Sequence, residues 1–210
     1  MPRIDTKTRI LDASEQLFAG RGVSGTSIRA ITAKAKVNLA AIHYHFGSKE
    51  SVLESVLSRR LIPLNAERLT LLEEYERRSK NNVVALPKII EALVGPALRV
   101  SRDPKKGGGL FMKLLGRLVL EPDEKIQSLL TNQFRTVLER FMPALKKALP
   151  GLEPADFYWR LHFLVGAMAH TMADSERIQT VSGGICNPDD TEDTIKRLVS
   201  FIVAGMEAES

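Results

Sequence analysis

Between Asn38 and Lys49 the sequence Asn-Leu-Ala-Ala-Ile-His-Tyr-His-Phe-Gly-Ser-Lys puts small or apolar side chains at the start of a short helix and donors at its end. Short side chains in a first turn let a helix approach a base-pair edge, and donors further along reach phosphates. The chemistry on offer is recognition of DNA rather than bond making. Asn38, Leu39, Ala40, Ala41 and His43 are expected to face bases, and Tyr44, His45 and Lys49 to hold phosphates. Thr26, Ser27 and Arg29, at the head of the preceding helix, complete the expected DNA-binding set. No nucleophile–base pair or cofactor loop is visible, so no catalytic residue and no cofactor are expected. His43 and His45 lack Cys or acidic partners at ligand spacing, which argues against a metal site.

Two helices and a tight turn must position these residues. Ser27 or Thr26 can cap the first helix, whose Ile28 and Ile31 share one face. Asn38 follows Val37 as a cap for the second. Upstream, Ile10, Leu11, Ser14, Leu17 and Phe18 form one stripe of an amphipathic helix from about residue 5 to 19, ended by Gly20 and Gly22. Downstream, Ser48 caps a further helix, with Glu50 favouring its positive end. The whole is a helix-turn-helix.

The run from Thr8 to Leu53 resembles the DNA-binding domain of TetR-type transcriptional regulators. The matching elements are Arg9-Ile10-Leu11-Asp12-Ala13, Leu17-Phe18, Gly22, Thr26-Ser27-Ile28, Ile31, Ala35, Val37, Tyr44, His45-Phe46, Ser48-Lys49-Glu50 and Leu53. Two positions depart from that pattern. Lys36 stands where the family usually has a turn glycine, and a side chain at positive φ there would carry strain. Asn38 stands where it usually has serine or threonine, and asparagine caps as well.

The 210 residues carry 30 Lys and Arg against 25 Asp and Glu, and 44% are hydrophobic. Residues 1–60 hold ten cations against five acids, whereas residues 61–210 hold twenty against twenty. The whole excess falls on the helix-turn-helix segment, as expected for a part that faces phosphates. A merely solvated basic face is the alternative for Arg59 and Arg60. The one cysteine, Cys186, cannot form an intrachain disulfide, so a reducing cytoplasm fits. The N-terminus is polar and no run approaches eighteen apolar residues, so neither a signal peptide nor a membrane span is expected.

After Ser48 a helical pattern runs to Arg78 through Pro63, and it is the only obvious mechanical link between the reading head and the rest. A break is expected at residues 80–82, a helix from Leu86 to Ser101 containing Pro96, and a loop from Asp103 to Gly109. That loop lacks the Walker lysine pattern, so it is not expected to cradle a nucleotide. A short apolar helix spans Leu110 to Leu120. Pro122 fits the first turn of a helix that stops before Pro143.

From Pro154 to about Arg177 the pattern gives two apolar faces. Phe157, Leu161, Leu164, Val165, Met168 and Met172 form one. Trp159, His162, Phe163, Gly166, Ala169 and His170 lie roughly opposite, with Arg160, Thr171 and Asp174 in a polar wedge. A helix apolar on both sides must be covered on both. With the final helix, from Thr191 to Glu207, it is expected to make a symmetric four-helix contact between two chains. The bland alternative is a larger monomer core.

The fold class expected is all-α: a helix-turn-helix domain over residues 1–48, then an effector-binding and dimerisation domain over residues 49–210. The second half, through Phe157–Phe163 and Phe111–Gly116, resembles the branch of the family that contains fatty-acid-responsive regulators. The resemblance implies a dimeric repressor on a palindromic double-stranded operator. It also implies a small apolar effector, such as a fatty acid or acyl thioester. Phe111, Met112, Leu115, Phe134, Phe141, Trp159 and Phe163 are the expected pocket lining, with His162 or an arginine for a polar head. A lipid-binding module of the same shape that does not regulate DNA is the competing expectation.

Overall fold

A computed structural model of the chain describes residues 5–79, 83–103, 107–173 and 175–209, with the side chains of residues 173, 175 and 176 left aside. The break expected at residues 80–82, the middle of the loop at 104–106 and the wedge residue Asp174 lie outside these.

Among the described residues all regular structure is helical. The helices are α1 (Thr6–Arg21), α2 (Ile28–Ala35), α3 (Leu39–His45), α4 (Lys49–Arg78), α5 (Leu86–Arg102), α6 (Gly108–Val119), α7 (Glu124–Ala148), α8 (Pro154–Ala173), α9 (Ser175–Val181) and α10 (Thr191–Glu207). None is long and apolar enough to cross a membrane. The chain forms two compact units, one of residues 1–62 with 110–133 and one of residues 63–109 with 134–210. α4 contributes to both, changing unit at Ile62/Pro63.

The first unit buries one apolar face from each of its first three helices. Ile10 and Phe18 of α1, Ile31 of α2 and Ile42 of α3 are fully buried, as are Val52, Val56 and Leu57 on the first turns of α4. α1 runs through Gly20 and ends at Gly22, whose φ of 77° lets the chain turn. Its stripe also contains a charge. Glu15 is 2% exposed and takes Arg59 Nη2 at 2.6 Å and Arg60 Nη2 at 2.9 Å, while Arg59 Nη1 reaches Asp12 at 2.6 Å. These pairs bolt α4 to α1, so Arg59 and Arg60 have a structural use within the unit. In the same unit Arg117 of α6 donates to Ala19 O at 3.1 Å.

In the second unit α5 and α10 pack along each other through Ile89, Ile90, Leu98, Ile195, Leu198 and Ile202, all buried. Arg99 closes that pair with a two-pronged bond to Glu192, at 2.7 and 2.9 Å. Arg68 on α4, 2% exposed, donates to Leu93 O on α5 at 2.8 Å and to Asn65 Oδ1 at 3.1 Å, and lies 5.9 Å from the Phe134 ring. Burial pushes its pKa down to about 10, with the charge of Glu67 acting the other way, so it stays cationic at neutral pH.

Two features of α7 differ from the sequence reading. α7 starts at Glu124, and it is Asp123 that caps it, accepting from Lys125 N and Ile126 N at 2.9 and 3.2 Å; Pro122 stays outside. Pro143 does not stop α7, which continues to Ala148. The carbonyl it leaves without a partner belongs to Glu139, an exposed position where water can replace the missing N–H. On both sides of Asp174 the described residues are helical, in α8 and α9, and the pattern runs past Arg177 to Val181. Gly108, the first residue of α6, serves a close approach, since a Cβ there would collide with Val100 O.

Candidate nucleic-acid interface

Local hydrogen bonding fixes the reading helix before any packing does. Ser27 Oγ accepts from Ala30 N at 3.1 Å and Asn38 Oδ1 from Ala41 N at 2.9 Å, so each helix of the pair starts on a side-chain cap. Between them Lys36 holds φ 53° and ψ 49°, a left-handed conformation that costs an L-residue about 1 kcal/mol. Arg9 of α1 donates from Nη2 to Ala35 O at 2.5 Å and Lys36 O at 2.6 Å. One guanidinium thus satisfies carbonyls at the end of α2 and holds the strained turn. Ser48 Oγ accepts from Ser51 N at 3.1 Å at the head of α4. There the backbone N–H of the helix start, then the Ser48 hydroxyl, keep the Glu50 carboxyl below its usual range.

What remains outward is the expected reading surface. Ser27, Arg29, Asn38, Leu39, Ala40 and His43 are exposed, Ala41 and His45 half-buried, and Tyr44 is 85% exposed. Arg29, Lys34 and Lys36 add exposed cations along and just past α2. His43 Nδ1 lies 3.2 Å from Gly47 O, a carbonyl, so Nδ1 carries the proton and Nε2 is the acceptor of the neutral ring. An accepting Nε2 suits the amino group of adenine or cytosine in a major groove.

Two expected contacts sit differently. Thr26 is 1% exposed, and its hydroxyl donates to Gly22 O at 2.7 Å, so its side chain fastens the α1–α2 loop. Lys49 Nζ donates to Val23 O at 3.0 Å and Thr26 O at 3.2 Å, leaving one N–H for a phosphate. The structural uses of Arg9 and Glu15 are not in the sequence reading. The signal for Glu15 was present: it falls on the apolar face between Leu11 and Phe18, and a charge there must be paired.

The expected ligand lining falls into separate groups. Phe111, Met112 and Leu115 are buried together on α6 in the first unit. In the second, Phe141 is buried and Phe134 half-buried on α7. Trp159, His162 and Phe163 stand together on the outer face of α8; Trp159 and Phe163 are stacked with ring centroids 5.9 Å apart and are 61% and 62% exposed. The described clefts of the second unit are lined by other residues.

A capped helix pair with a held turn, showing a basic and hydrogen-bonding outer face, defines a helix-turn-helix DNA-binding protein. Residues 10–56 match the bacterial regulatory proteins of the tetR family, and residues 91–205 match the tetracyclin repressor-like C-terminal domain. The second match covers more than half of the chain, and the chain belongs to the TetR family of regulators, which are not enzymes.

Curated relatives match over a short stretch of the chain. The HTH-type transcriptional regulator SrpR of Pseudomonas putida is 38% identical over 63 residues, 30% of each chain. The HTH-type transcriptional repressor Rv3405c of Mycobacterium tuberculosis is 44% identical over 55 residues, 26% of this chain and 29% of that one. The match spans under a third of either relative's length. By fold the likeness is complete: a fatty acid degradation regulator, FadR from Bacillus halodurans, superposes over 100% of both chains with a TM-score of 0.66 at 13% identity. The hemolysin II regulator HlyIIR gives 0.59 over 93% of this chain and 96% of its own at 20% identity.

Proposed function

We propose that the protein is a repressor that binds a palindromic operator as a dimer and leaves it when a small apolar effector binds. The observation that carries this reading is the exposed face of α3, set by the Asn38 cap and the Arg9-held turn. One short helix makes too few base contacts for useful specificity, so two copies on two half-sites are needed. The outer face of α8, with the stacked Trp159 and Phe163, and the 70% exposed Phe201 of α10 supply an apolar surface that a second chain would cover. Pairing through these last long helices is the interface proposed, with the protein acting in the cytoplasm beside the DNA.

The effector class proposed is a fatty acid or acyl thioester. The fold neighbours named as regulators of fatty acid degradation or metabolism support it. An effector acts only through unequal affinity for two shapes. Selecting bound DNA from a random pool, with and without acyl compounds, tests the whole reading. A palindromic consensus that is lost on adding an acyl compound is expected. Binding without sequence preference would overturn it. Arg29→Ala should weaken binding equally on all sequences and lower the salt slope by about 1. A changed consensus would mean that Arg29 reads bases.

A further inference from the structure

A cleft of about 650 Å³ opens in the second unit between the last turn of α5, the end of α8, α9, the segment 185–188 and the start of α10. That volume suits a small organic ligand. Its polar and apolar halves are both incomplete. Ile178, Val181 and Ile185 line it while 48%, 74% and 89% exposed, beside the buried Leu198. Uncovered apolar side chains at a cleft mark a surface that gains from being covered.

Among the described basic side chains of the wall, which include His170, Arg102 stands apart. Arg197 is taken by Asp193 at 2.6 Å, Asp190 accepts from Asp193 N as the cap of α10, and Arg177 has a partner of its own. Arg102, half-buried in the same wall, makes no hydrogen bond among the described residues. Burial lowers its pKa and the charge of Asp189 opposes that, so the guanidinium feels a carboxylate that it does not bond. A desolvated, unbonded guanidinium fork matches the two oxygens of a carboxylate. Asp190 and Asp193 in the wall would repel a second negative charge.

We propose that this cleft binds an apolar monocarboxylate, its head on Arg102 and its hydrocarbon body along Ile178, Val181, Ile185 and Leu198. This deepens the effector half of the proposed function and rests on it only for the consequence at DNA. It also places the effector away from the lining expected from sequence.

Cys186, the single cysteine, is exposed and lines the same cleft, so its alkylation reports occupancy in the unmodified chain. With N-ethylmaleimide as the reagent, decanoate should slow Cys186 alkylation about tenfold at ten times its dissociation constant, by simple mass action. Decanol, which has no charge, should protect much less at equal concentration. Arg102→Met should reduce decanoate protection to that of decanol, and Arg102→Lys should retain part of it. Ile185→Asp, at a position that no core contact depends on, should abolish it by repulsion and covers the case where Arg102→Met fails to fold. Calorimetric binding of decanoate without protection of Cys186, or equal protection in Arg102→Met, would overturn the proposal. So would ligand-free alkylation that slows as protein concentration rises, because a second chain would then fill the cleft. DNA release without protection puts the effector elsewhere and leaves the repressor reading intact; protection without DNA release keeps the site and removes the ligand response.

Discussion

The two units use charge differently. In the first, Glu15 is withdrawn from water and anchors two arginines, so the position of α4 against α1 depends on a desolvated anion. In the second, Arg99 and Glu192 join α5 to α10 in the open, with the glutamate side chain 66% exposed. A surface pair contributes little because water and salt screen it, whereas removing one member of a buried set strands the rest. The reading head is therefore held by interactions that fail together. The second unit is held by apolar packing, with exposed ion pairs as trim and a single described buried cation, Arg68, that rests on neutral acceptors rather than on an anion.

Relatives follow the same division. The tetR family model matches residues 10–56 and the relatives above match over 63 and 55 residues, while the fold likeness extends over the whole chain at 13% identity. A part that must meet the fixed geometry of a DNA groove needs particular caps and a particular turn. A helical body needs only its apolar faces, which many sequences supply.

Substitutions can sharpen or break this contrast. The largest effect is expected from Glu15→Ala, which leaves Arg59 and Arg60 facing an apolar site and should cost about 3 kcal/mol in urea unfolding. A loss no larger than that of the exposed pair below would end the distinction between the units. Asn38→Ala should cost about 1 kcal/mol through the lost cap and weaken DNA binding further by loosening α3. Unchanged affinity in a gel shift would mean that the cap does not set the reading helix. Lys36→Gly should raise stability by about 0.5 kcal/mol, the relief of a left-handed side chain less the extra freedom of the unfolded glycine. A fall in the melting temperature would show that the Arg9 bonds have removed the strain.

The smallest effect belongs to Glu192. The hydrogen bond from Arg99 holds its carboxyl below the usual range. Its contribution is present above the ordinary carboxylate pKa and disappears as pH falls through the lowered value. Glu192→Gln should cost under about 0.5 kcal/mol at pH 7 and flatten that acid limb of the stability curve. A larger loss would give the second unit the same electrostatic dependence as the first.

What could be read from the sequence was what the chain decides within a few residues. Ser27, Asn38 and Ser48 were legible as caps because each depends on neighbours two or three positions away; the strain at Lys36 came through the resemblance, whose pattern has glycine there. The apolar stripes of α1 and α10 were legible by period. The inward face of α8 emerged as well, with Phe157, Leu164 and Met172 buried. Long-range partners were not legible. Nothing near Arg9 announces the carbonyls of Ala35 and Lys36, and nothing near Lys49 announces those of Val23 and Thr26. Aromatic content in the second half does not by itself say what covers it: Trp159 and Phe163 fit an apolar helical pattern yet stand 61% and 62% exposed.

Pro63 lies where α4 passes from one compact unit to the other. Having no N–H, it leaves the carbonyl of Arg59 without its helical donor, one turn after the residues that grip Glu15. The rod is thus continuous but softer on one side, and flexing it there breaks no bond that was already made. Compliance has been built into the shaft at its midpoint, and it costs a single rung of the ladder.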